Sequence, residues 1–261
     1  VLSMFKDNVK VQLSNNNELE VPQETTLLHI AKNIGSSFSK KAALGYVNGE
    51  LKELNYKIKE DSKVEFITFE DKKAEVSIKY TLSFLLGYII QRQFEGFEIA
   101  DIGVNDENFY CDFQTLDKNL NKGDLDIINK SINKILKSNP KIEVYDVSKE
   151  YTQKLLKDKK YMYYHVENNE ELIFRIAEID GYQSLISYPL ITNLSKLKNY
   201  KLKSISSTNW LRDTNNQALQ RISGIAFSDY ATEHLLLNSI CKAKKKVVHY
   251  RNYLYGCAKL N

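Results

Sequence analysis

The sequence predicts an α+β fold, with a small unit followed by a larger one. Three observations predict it. Apolar residues alternate in short stretches before residue 70, at Val9, Val11 and Leu13 and again at Val64, Phe66 and Thr68. After residue 75 they recur at helical spacing, at Leu82, Leu85, Leu86, Ile89 and Ile90 and then at Leu125, Ile128, Ile132 and Ile135. Polar turns punctuate both halves. The 261 residues suit one large domain or two small ones, and 43% hydrophobic content supports a core.

The elements follow in order. NVKVQLSNNN at 8–17 alternates and then turns on a triple Asn, a hairpin signal. ELEVPQETTLLHIAKNIG gives a second strand and a short helix, capped by Thr25 or Thr26 and ended by Gly35. ALGYVNGELKELNYKI holds Asn48-Gly49, the strongest short hairpin signal in the chain, and SKVEFITF is a further strand. Hairpin, helix, hairpin and strand make residues 4–70 a β-grasp-like unit. EDKKAE at 70–75 reads as a charged linker.

A helix runs from about Val76 to Phe94. Beside its apolar face, Tyr80, Phe84 and Tyr88 form a second stripe. Side chains four apart on a helix meet at one point, as paired histidines do on a metal or a water. Here the pair is aromatic. EIADIGVNDENFYCDFQTL gives two strands, and GDLDIINKSINKILKSN an amphipathic helix. SKEYTQKLLKD gives a helix capped by Ser148. MYYHVE and ELIFRIAEIDGY read as strands. YKLKSISSTNWLRD is a strand running into a turn, followed by NNQALQRISGIAF. A last helix starts near Ser228 and carries Lys242, Lys244, Lys245 and Lys246.

Composition excludes little. A net charge of +4 permits nucleic-acid contact without arguing for it. No run of 18 apolar residues occurs, so no membrane span is expected. The start lacks an apolar signal region, and Val1 to Ser3 read as a tag remnant. Cys111, Cys241 and Cys257 are far apart, which suggests a reducing, cytoplasmic setting. GxxxxGK[ST], GxGxxG, HExxH and GxSxG are all missing. His29, His165, His234 and His249 are scattered. His234 and Cys241 lie two turns apart on one predicted helix, roughly 10 Å of rise and too far to share a metal. Spacing alone declares no enzyme.

TNWLRDTNNQALQRISGIAF at 208–227 closely resembles the A-Y-W-R-G-D-x-x-N-x-x-L-Q-R-I-Y-G-T-A-F segment of threonyl-tRNA synthetases. It matches through Trp210, Asp213, Asn216, Leu219, Gln220, Arg221, Ile222, Gly224, Ala226 and Phe227. Val47 to Leu51 resemble the V-N-G-E-L of the TGS domain that opens those enzymes. IGVNDENFYCDF resembles their I-G-P-x-x-x-x-G-F-Y-Y-D-F, one residue shorter and without the Pro and second Gly. The resemblance covers nearly the whole chain. It implies a TGS domain at 4–70, an editing-type second domain at 76–228 and a linker helix at 229–261 that leads toward an absent aminoacylation domain. ATP and zinc are expected only in that absent domain, and no cofactor in this chain.

Where the family reads R-H-S-x-x-H-L-L, this chain reads Lys79-Tyr80-Thr81-Leu82-Ser83-Phe84-Leu85-Leu86. The family's D-L-C-R-G-P-H falls on Ser184 to Leu190. The editing histidines therefore fall on Tyr80, Phe84 and Leu190, the cysteine on Ile186, and the pocket lysine near Met162. Hydrolysis of a wrongly attached serine needs a base, a positioned water and a polar cradle. Zinc, which related alanine-type domains hold at these positions, needs imidazole or thiolate. Tyr, Phe, Ile and Leu supply neither, so the expectation is a filled, inactive editing pocket.

The resemblance implies tRNA(Thr) as partner, with Lys244, Lys245 and Lys246 as candidates for its phosphates. It also implies a monomer as a fragment and a homodimer at full length. Two alternatives differ in class. One is the amino-terminal module of a bacterial nucleoside kinase of uridine type. The other is a free-standing hydrolase of mischarged tRNA that uses His165 on the YYHVE strand.

Overall fold

The computed structural model describes residues 8–106 and 108–228. The expected helix at 229–261 lies outside the described residues, as do Lys244, Lys245 and Lys246.

In the first unit, β1 (Asn8–Leu13) and β2 (Glu18–Pro22) form a hairpin in which Val9 faces Val21 and Val11 faces Leu19. The helix α1 (Leu27–Ile34) starts at Thr26, whose hydroxyl accepts from the His29 amide, and stops at Gly35. Of the two cap candidates, Thr26 is the one used. A short helix not foreseen in the sequence, α2 (Ser36–Lys41), follows at once. The strands β3 (Ala42–Val47) and β4 (Glu50–Glu53) turn at Asn48 and Gly49, with φ of 50° and 86°. Two left-handed residues in a row suit the twist of the flanking strands. With β5 (Ser62–Thr68) the sheet order is β2-β1-β5-β3-β4, and only β1 with β5 is parallel. Leu27, Ile30 and Ala31 of α1 are buried in the core of this unit.

Residues 70–75 are not a loose linker. Asp71 caps a 3-10 turn at Lys72–Ala74, Ala74 is fully buried, and the turn feeds directly into α3 (Glu75–Gln93). The helix α3 packs on β6 (Glu98–Asn105) and β7 (Asn108–Gln114) and against α4 (Lys122–Ser138). Its two predicted stripes understate its burial, since every residue from Ser77 to Ile90 is buried. Its polar side chains turn inward with partners. The Ser83 hydroxyl donates to the Tyr110 carbonyl and accepts from the Gly103 amide at 2.9 Å. The Thr81 hydroxyl donates to the Ser77 carbonyl at 2.6 Å.

Next come β8 (Glu143–Ser148), α5 (Lys149–Leu155), α6 (Lys160–Glu167), β9 (Ile173–Ile179) and β10 (Tyr182–Ile186). The Ser148 hydroxyl caps α5 as expected. MYYHVE is helix, not strand. Tyr161 and His165, four apart, both face Trp210, while Met162 and Val166, also four apart, are buried in the main core. Tertiary packing here overrides the strand preference of the tyrosines. The strand β8 was not legible in the sequence, and neither was the β9-β10 turn at Asp180-Gly181. With β11 (Tyr200–Asn209) and β12 (Ala218–Ala226), the second unit holds a three-stranded sheet β10-β9-β8 and a four-stranded sheet β11-β12-β7-β6. Ala43, Leu44, Ile67 and Phe69 of the first unit share the main core cluster of the second. Among the described residues no helix is long and apolar enough to cross a membrane.

Candidate functional site

The helix α3 and the segment after β10 build the site. The Tyr80 hydroxyl accepts from the Ser187 amide at 2.9 Å and from the Ser187 hydroxyl at 3.2 Å. The Thr81 hydroxyl accepts from the Ile191 amide at 2.8 Å. Each ring of the aromatic stripe meets a ring from across the core. Tyr80 packs edge-on to Tyr188 at 6.3 Å, and Phe84 and Tyr88 lie 5.6 and 5.8 Å from Tyr182. Such spacings are typical of favourable aromatic pairs. The stripe is therefore a seam between α3 and β10 with the segment that follows it.

All four positions expected to fill one pocket are buried in the main core. Phe84 and Leu190 are fully buried core residues. Tyr80 and Ile186 also border a cleft of about 420 Å³, together with Asp101, Met162, His165 and Arg175. Tyr80 and Ile186 keep only 5% of their surface exposed there. Burial raises the Tyr80 phenol above its ordinary pKa of 10.0, partly opposed by Ser187. It stays protonated at neutral pH and is no general base.

The polar wall of the cleft comes from β6, α6 and β9. Burial raises the Asp101 carboxyl, opposed first by the hydrogen bond it accepts from Tyr110 at 3.0 Å. Behind it, Asp112 and Arg221 form a two-pronged ion pair at 2.6 and 2.7 Å. The Arg221 guanidinium lies 3.9 Å from the Tyr110 ring centre. His165 Nε2 is buried without a hydrogen-bond partner, and its ring lies 5.1 Å from Trp210. Among the described residues no three His, Cys, Asp or Glu side chains are grouped to hold a metal ion.

Sequence reasoning missed Asp101 and Arg175. Each is a charge flanked by apolar residues inside a strand, in EIADIG and LIFRIAEI, and that was the available signal. Trp210, a match in the 208–227 segment, stands beside the cleft residue His165. The ring is half-buried against Tyr161, Tyr164 and His165.

In the first unit, residues 9–68 match the family model of the TGS domain. The chain as a whole matches the amino-terminal region of threonyl-tRNA synthetases. It is 31% identical to a threonine-tRNA ligase of Clostridium kluyveri over 242 residues, which is 91% of this chain and 38% of the relative. It is 32% identical to that of Caldanaerobacter subterraneus over 241 residues, covering 90% of this chain and 37% of the relative. The threonine-tRNA ligase of Clostridium novyi is also 32% identical, over 242 residues, 91% of this chain and 38% of the relative. The chain thus spans well under half the length of these relatives.

Proposed function

We propose that this chain is the tRNA-facing amino-terminal part of a cytoplasmic threonine-tRNA ligase, and that its second unit positions the acceptor arm of tRNA(Thr) without editing it. The whole protein would join threonine to tRNA(Thr) using ATP, with ATP and zinc held outside these residues. Lys244, Lys245 and Lys246 are our candidates for phosphate contacts. The fragment would be monomeric and the full-length protein a dimer.

One observation carries the loss of editing. At Tyr80, Phe84, Ile186 and Leu190 no imidazole or thiolate stands, and all four side chains are buried. The test is deacylation of Ser-tRNA(Thr). We expect wild type to match the buffer rate, and a variant carrying Tyr80→His, Phe84→His, Ile186→Cys and Leu190→His to gain activity. Hydrolysis by wild type well above buffer would overturn the reading.

The unpartnered His165 Nε2 at the cleft wall favours a second reading, a hydrolase with a relocated base. Wild-type activity abolished by His165→Gln would establish it.

A further inference from the structure

The TGS domain meets the second unit through a buried charge. Glu53 ends β4 and is only 1% exposed. Its Oε2 accepts from Arg175 Nη2 at 2.7 Å, and its Oε1 accepts from the Leu190 amide at 3.4 Å. Arg175 Nε in turn lies 3.5 Å from Asp146 Oδ1 on β8.

One Glu53 contact ends on the cleft wall and the other on the segment that follows Ser187 at its edge. Arg175 forms its wall, and Leu190 lies in the segment 187–191 whose first amide is held by Tyr80. Simple adhesion between the units needs no charge here. Leu44 and Phe69 of the TGS domain already lie in the shared apolar core. A buried ion pair adds little stability over well-packed apolar side chains, but it is intolerant of a missing partner. That intolerance makes it an effective coupling between two parts.

We propose that Glu53 is a positioning residue through which the TGS domain sets Arg175 and segment 187–191, so that displacing the TGS domain loosens the cleft wall. The coupling depends on no ligand and stands apart from whether the cleft hydrolyses anything.

Native-state hydrogen exchange on the whole chain tests it. In wild type, the Leu190 amide and the β3-β4 amides exchange through one shared opening, with equal opening free energies. Glu53→Gln speeds exchange at Leu190 and Ile191 tenfold or more while the central amides of α4 keep their wild-type rates. A general loss of stability would instead speed all amides alike. Unequal openings in wild type, or unchanged Leu190 protection in the variant, would overturn the proposal. If Glu53→Gln does not fold, the wild-type comparison decides alone.

Discussion

At the scale of single residues, the cleft concentrates buried charge. The Asp101 carboxyl is raised from its ordinary value of 3.8 by burial, with Tyr110, Asp112 and His165 as its polar neighbours. Between that ordinary value and the raised one, the folded chain keeps a proton that the unfolded chain has released. Stability tied to Asp101 is therefore fully present in acid and lost as pH rises through the folded-state value. Asp101→Asn keeps an acceptor for Tyr110 and removes the charge. We expect the variant to be more stable than wild type at about pH 7 and equal to it at about pH 3, where both side chains are neutral. Denaturant melts across that range check this. The Asp101 charge between apolar neighbours was visible in EIADIG. Its burial was not, because periodicity shows which face a residue takes but not what covers that face.

At the scale of elements, the turn from β11 to β12 holds the clearest departure from the pattern it resembles. Leu211 and Arg212 sit at φ of 54° and 58°, where a side chain crowds the backbone. The threonyl-tRNA synthetase segment carries Gly at the position of Arg212. Arg212→Gly is expected to stabilise the chain by about 1 kcal/mol, measured by urea denaturation. The resemblance pointed to this site, whereas the backbone strain is visible only in the folded turn. Element types otherwise followed local signals wherever caps or turn residues were present, as at Thr26, Asn48-Gly49 and Ser148. MYYHVE had no such marker. Its tyrosines suit a strand, and only the position of Trp210 from a distant turn makes it a helix.

At the scale of the molecule, one core and one ion pair join the two units. Arg175→Leu leaves Glu53 charged and buried, and is expected to cost about 3–5 kcal/mol. Trp210, the single tryptophan, reports on the second unit, while far-ultraviolet circular dichroism reports on both. Coincident midpoints by the two probes are expected for wild type, as one cooperative unit requires. By itself, the sequence determined the α+β class, the TGS-like unit and the aromatic stripe on α3. These are matters of local pattern and residue type, which one chain carries in full. Tertiary structure alone decided that Tyr80 and Ile186, though buried, border a cleft while Phe84 and Leu190 are fully enclosed. It also decided that a glutamate from β4 reaches the wall of that cleft. Those facts depend on contacts between residues 122 and 137 positions apart, and spacing along the chain does not encode them.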